Sequence, residues 1–143
     1  VKTPEVSEST IKRRKQLRIA SLVALGLSAW GGTKIASKIA LQASVRHLLE
    51  TNQCPKCDLT GADLKQTNLK NANLWGANLA GADLTDADLT GAKLGYVNLE
   101  DANLENVRLR NADLRGAKLP GVKLTYADLG GAKLGYANLL FAN

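Results

Sequence analysis

Leucine recurs every five residues from Leu59 to Leu139, seventeen times without a gap. Two residues before each of these stands a small side chain: Ala in twelve units, Val at Val97, Val107 and Val122, and Cys57 and Thr67 in the other two. The residue just before Leu is Asp or Asn in twelve units and Lys or Arg in the rest. Gly often follows two positions after Leu, as at Gly61, Gly76 and Gly116. A period of five suits neither common element. On a helix of about 3.6 residues per turn the Leu would spiral off any single stripe, and on a flat strand of period two it would alternate faces. The spacing works if the chain turns a corner in every unit, sending Leu and the small residue inward and the other three positions to water. Such short-period self-similarity predicts a solenoid whose coils are stable only when stacked.

The unit A-(D/N)-L-x-x, present as GADLT, NANLW and GAKLG, resembles the pentapeptide repeat family over residues 54–143, and HLLETNQCPKCDLTGADL is similar to the opening segment of many cyanobacterial members. The resemblance implies an all-β solenoid, a right-handed quadrilateral β-helix with four units and twenty residues per coil and Leu ladders inside. Residues twenty apart would then sit above one another. Asp88, Arg108 and Asp128 would form one ladder of alternating sign, and Lys93, Asp113 and Lys133 another. Exposed pairs of this kind are worth at most about 1 kcal/mol each.

Composition narrows the chemistry. All six Ser lie within residues 7–44 and the single His is His47, so a Ser-His or Cys-His pair cannot come from the repeat alone. The Asp residues fill a position that the repeat itself demands, and no phosphate-binding loop or metalloprotease motif is present. His47 reads as a packed or solvated helix residue. No catalytic residue, cofactor or metal ligand is expected, and the chain is not read as an enzyme. Cys54 and Cys57 supply half of a four-ligand zinc site at most. Both should line the first coil as small buried hydrophobes. A redox-sensitive CPKC disulfide is the sharper alternative. Trp75, Tyr96 and Tyr136 stand outside the Leu and Ala columns, with Tyr96 and Tyr136 two coils apart on one corner and Trp75 beside that line. Together with Phe141 they are the partner-docking candidates.

Charge divides the chain. Residues 1–50 carry nine Lys or Arg against three Glu, whereas residues 51–143 carry ten of each sign. We read residues 1–10 as a polar arm, 11–32 as a basic-apolar helix, 33–53 as a helix capping the rod and 54–143 as the β-helix. Lys12, Arg13, Arg14, Lys15 and Arg18, followed by an apolar run containing Trp30, suit an anionic membrane surface. The uncharged stretch from Ile19 to Thr33 gives about 22 Å of helix, short of the roughly 30 Å hydrocarbon core. A targeting segment and an amphipathic helix packed on the protein are the other readings. Gly31 and Gly32 break the segment, Thr33 can cap a second helix, and Ile35, Ile39, Val45, Leu48 and Leu49 would stripe it toward the mouth of the rod. At the other end, the next Leu due at 144 lies beyond Asn143. The expectation there is a continuing chain or a partner against this edge, with Phe141 placed to seal it.

The function expected is a non-enzymatic protein-docking module on a membrane or membrane complex, with protein partners and, as the resemblance implies, a cyanobacterial or plastid thylakoid setting. One alternative is a lumenal or periplasmic protein responding to redox through Cys54 and Cys57. The other is a topoisomerase regulator mimicking duplex DNA, as some members of the resembled family do. Mimicry needs a strongly negative rod, and this one sums to zero. Nucleic acid is disfavoured as a partner, since the N-terminal basic cluster has no aromatic platform beside it.

Overall fold

The computed structural model describes residues 32–143. The polar arm and nearly all of the expected basic-apolar helix, with Lys12, Arg13, Arg14, Lys15, Arg18 and Trp30, lie outside the described residues. The first element, α1, runs Gly32–Thr51. Thr33 therefore falls in the first turn of the helix. The expected five-residue stripe is not continuous either: Leu48 is fully buried and Val45 and Leu49 are half-buried, but Ile39 is 58% exposed. Among the described residues, no helix is long and apolar enough to cross a membrane.

The compact unit Ala43–Asn143 begins with the last turns of α1. The Thr51 hydroxyl donates to the His47 carbonyl at 2.7 Å and accepts from the Gln53 N–H at 3.1 Å, which closes the helix end. Asn52 then takes φ +61° and turns the chain into the first coil, where Gln53 already bridges Asn73.

From Gln53 onward every β-bridge is parallel and joins residues twenty apart, one bridge for each five-residue unit. Four units thus make one coil, and each unit is one short side. With parallel strands about 4.8 Å apart, the coils stack to roughly 20 Å. The Leu and small residues fill the interior: Leu59 through Leu119 and Ala62 through Val122 are at most 1% exposed, apart from Thr67 at 6%. Thr67 satisfies its hydroxyl on the Leu64 carbonyl at 2.6 Å. In the last coil Leu124, Leu129 and Leu134 are half-buried and Leu139 is 39% exposed.

The backbone explains why five residues make a unit. Buried N–H groups must find partners, and in unit 58–62 those of Leu59, Thr60, Gly61 and Ala62 all do. Leu59 N–H donates to Asn78 O at 2.7 Å, and Gly61 N–H to Ala80 O at 2.9 Å, both in the next coil. Ala62 N–H donates back across the corner to Leu59 O at 3.0 Å. The remaining corner N–H, on Thr60, donates to the Asp58 carboxylate at 3.1 Å. The same side-chain bond recurs at Asp63, Asn73, Asp83, Asn98 and Asp128. Asp or Asn before Leu is therefore a corner brace. One of the units that has Lys instead, Lys118, is followed by Pro120, which has no N–H to satisfy. The second residue after Leu has positive φ at every corner, from Lys56 at +58° to Phe141 at +59°, as a type II turn requires at that position.

Candidate docking surface

The interior offers no site. Its walls are Leu, Ala and Val with Cys54 and Thr67, no buried side-chain polar atom lacks a partner, and no group of three metal-ligating side chains occurs among the described residues. The carboxylates just before Leu are likewise committed to the fold. Asp58 is held below the usual carboxylate range by hydrogen bonds from the Thr60 hydroxyl and N–H, and Asp83 by the Thr85 hydroxyl. At Asp88 burial pushes the other way but is outweighed by bonds from Thr90 and by Lys70. Asp113 is lowered to about 2, chiefly by the Arg115 guanidinium. A general acid needs a raised carboxyl, and each shifted carboxylate among the described residues moves down.

The exterior is where the chain spends its large side chains. One corner carries Lys56, Trp75, Tyr96, Arg115 and Tyr136 in successive coils. They alternate between the two corner positions, and each of the first four reclines toward a glycine of the next coil. A Cβ added to Gly76 would meet Lys56 Cγ at 3.5 Å, and one on Gly95 would meet Trp75 Cδ1 at 3.1 Å. At Gly116 it would meet Tyr96 Cε1 at 2.7 Å, and at Gly135 Arg115 Cγ at 3.8 Å. Trp75 and Tyr96 pack edge to face with ring centroids 5.9 Å apart, and Lys56 Nζ stands 5.2 Å above the Trp75 ring. The strip still faces water, with Trp75 43%, Tyr96 66% and Tyr136 99% exposed.

Phe141 does not join this strip. It lies five residues past Tyr136, on the adjacent corner, and at 82% exposed it does not seal the edge. Tyr126, equally large and 82% exposed, was not singled out from the sequence. Its signal is that it occupies the same unit position as Tyr96 and Tyr136. Thirty residues from Tyr96 is not a multiple of twenty, so it projects from the diagonally opposite corner.

Cys54 is buried at the Leu position of the first coil and Cys57 is half-buried at the small-residue position. The structure joins them in a disulfide, so they are not two free thiols. His47 is an exposed residue of α1.

The charge ladders are only partly formed. Arg108 reaches Asp88 at 3.5 Å as the twenty-residue spacing predicts, but Asp128 is taken by Arg110 at 3.4 Å. Asp113 pairs with Arg115 at 2.6 Å rather than with Lys93 or Lys133. Lys65–Asp83 at 3.1 Å and Lys70–Asp88 at 3.3 Å share the eighteen-residue offset of Arg110–Asp128. The reason is geometric. A corner side chain just after Leu leans toward the position just before Leu in the next coil, where Thr60 also reaches Asn78 and Thr85 reaches Asn103.

A family model described as pentapeptide repeats matches residues 57–95 and 98–135, in 8 copies. Among solved structures the chain is similar to a pentapeptide repeat protein from the cyanobacterium Cyanothece 51142, at 24% identity over 73% of this chain and 96% of that one, with a TM-score of 0.41. It is similar to one from Nostoc Pcc 7120, at 32% identity over 71% and 84% of the two chains, with a TM-score of 0.35. A third is from the Arabidopsis thaliana thylakoid lumen, at 30% identity over 64% and 65%, with a TM-score of 0.38. No curated protein matches the chain.

Proposed function

Because the chain belongs to the pentapeptide repeat family, whose members are in general non-enzymatic structural or interaction proteins, we propose that it is a protein-docking module, its right-handed quadrilateral β-helix serving as a stiff platform at a membrane. The observation that carries this reading is the contrast between a closed interior and an elaborated corner. Every inward position is apolar or satisfied, whereas Trp75, Tyr96 and Tyr136 are held out to solvent. Trp, Tyr and Arg are the side chains that dominate protein interfaces. The membrane part of the proposal rests on the basic-apolar sequence from Lys12 to Trp30, with a thylakoid complex as the setting. Two measurements test it. Cross-linking in native extract should join Lys56 or Lys93 to another protein, and the full chain should remain with membranes through a high-salt wash. An uncross-linked protein found wholly in the soluble fraction defeats the reading.

A second reading is favoured by one observation, the Cys54–Cys57 disulfide at the mouth of the first coil. We propose it as a redox-sensitive brace in a lumenal or periplasmic setting, with a dithiol–disulfide protein as the exchange partner. Alkylation of native extract that traps both cysteines as free thiols under oxidising and reducing conditions alike removes it. The DNA-mimic reading gains nothing, because the rod sums to zero charge and a lysine or arginine interrupts each of the four sides on which the acids stand.

A further inference from the structure

The rod of residues 52–143 sums to zero charge, but its charges are sorted around the coil. Call the side made by Gln53, Asn73, Lys93, Asp113 and Lys133 the basic side. That side and its two flanking corners hold Lys56, Lys70, Lys93, Arg110, Arg115 and Lys133 against one acid, Asp113. The opposite side and its two corners hold Asp63, Asp83, Asp86, Glu100, Asp101 and Glu105 against Lys65 and Lys123. Pairing sharpens the contrast. Asp113 is already bound by Arg115, and Lys70 and Arg110 turn back to Asp88 and Asp128. Lys56, Lys93 and Lys133 are left with no ion pair among the described residues.

The aromatic strip borders this basic side. Lys56, Tyr96 and Tyr136 hold φ of +58°, +56° and +61° at the corner position that Gly76 and Gly116 fill in the alternate coils. A left-handed conformation at a bulky residue is strained, and every corner of the rod imposes it, Tyr126 and Phe141 included, so what distinguishes this corner is the large side chains it repeats and not the backbone. The repeat accepts Gly at this very corner, so nothing in the coil calls for an aromatic there. Trp75 and Tyr96 are also held in place by their glycine seats and by each other, which lowers the ordering penalty of a contact.

We propose that the basic side and its Trp75–Tyr96–Tyr136 border form the docking face, and that its occupant is an extended acidic segment of a partner protein with apolar side chains between the acids. This rests on the docking reading above and names its face and partner chemistry. Carboxylates meet Lys56, Lys93 and Lys133 while apolar side chains lie along the rings. Four coil steps from Lys56 to Tyr136 span about 19 Å, room for about six residues of extended chain running along the rod. The strip is the anchor and the lysines set orientation and encounter rate. A single-stranded nucleic acid would also find cations and rings here. The protein segment is favoured because Trp75 and Tyr96 recline edge to face on one another and on their glycine seats, rather than standing parted to admit stacked bases.

The test uses the full chain and a fluorescein-labelled peptide of about twelve residues, glutamate interspersed with phenylalanine. Fluorescence anisotropy should show binding that weakens as salt rises from about 0.05 to about 0.5 M. Lys93→Glu with Lys133→Glu should weaken it at least about tenfold, and Trp75→Ala at least about fivefold. Asp86→Lys with Glu105→Lys, on the opposite side, should not weaken it, with circular dichroism confirming the coil in each variant. No binding at millimolar peptide, equal loss in both charge variants, or tighter binding of an oligothymidylate overturns the proposal. So does concentration-dependent self-association in sedimentation that either charge variant abolishes, since the acidic side of a second copy would then be the occupant. Cross-linking to a cellular protein that persists undiminished in Lys93→Glu/Lys133→Glu overturns this face and leaves the docking reading standing. No cross-link in either protein defeats both.

Discussion

Truncating Leu99 to Ala separates a packed Leu ladder from a loosely filled tube. Leu99 is 0% exposed, with Leu79 and Leu119 above and below it in the same column. Its own N–H donates to Lys118 O at 2.7 Å, and the neighbouring Asn98 N–H donates to Ala77 O at 2.9 Å. A wall pinned on both sides cannot collapse into the space that three deleted carbons leave. The cavity penalty therefore adds to the lost transfer free energy, and the cost should fall in the upper part of the buried Leu→Ala range, about 3–5 kcal/mol. Leu139 occupies the same unit position but is already 39% exposed. Part of its burial is missing and one side of it is open, so Leu139→Ala should cost about 1 kcal/mol. Both values are read from guanidinium unfolding of the full chain followed by far-UV circular dichroism, from the midpoints at a common slope. Leu99→Asp, which places a carboxylate among Leu side chains with no partner, should leave no cooperative transition. A Leu99→Ala loss below about 1.5 kcal/mol, or one equal to that of Leu139→Ala, would refute the pinned-wall account.

Gly116→Ala should cost about 1–3 kcal/mol, because φ is +67° and the new Cβ would lie 2.7 Å from Tyr96 Cε1. Gly61→Ala, with φ +65° and open space around it, should cost less, and thermal melts of the two variants check the difference. Asp113 is lowered from 3.8 to about 2 in the folded protein, so its ion pair stabilises fully above the unfolded value and is lost as pH falls through the folded one. Asp113→Asn should therefore cost under about 1 kcal/mol near neutral pH, discounted for the exposed Arg115 partner, and almost nothing near pH 2, as acid titration of both proteins would show. Reducing the Cys54–Cys57 disulfide, which closes a loop with a sequence separation of 3, should destabilise the rod by about 2 kcal/mol, seen as a lower melting temperature in dithiothreitol.

The Leu and small-residue columns were legible because their pattern is dictated by a burial rule that acts on each unit alone. The burial of Leu59 through Leu119 follows from it, whereas the twenty-residue coil was what the family resemblance implied, and Gln53, read as the end of the capping helix, instead joins the first coil. What the sequence hid depends on how side chains lean between coils. Asp128 pairs with Arg110 rather than Arg108, because a corner residue reaches forward by eighteen positions instead of twenty. The bracing role of Asp before Leu was concealed for a similar reason: it is a bond to a backbone N–H two residues on, which no periodicity displays. Trp75, Tyr96 and Tyr136 could be placed near one line by counting, but the glycine seats beneath Trp75 and Tyr96 required the alternation of the two corner positions to be seen in three dimensions.

The twenty-residue coil also sets a rule of phase for every insertion or deletion in this chain. Removing one five-residue unit between Trp75 and Tyr96 leaves each inward position filled by the same kinds of residue and every bridge re-formed, so the core registers almost no change. The outer surface, however, is rotated by a quarter turn from that point onward. Tyr96 and Tyr136 would then project from a different corner than Trp75, and the lysines of the basic side would be split between two sides. Only changes of a whole coil preserve both stability and the surface pattern. In such a rod the length of the chain can drift in fives without harm to folding, while what is displayed along one edge survives only in multiples of twenty.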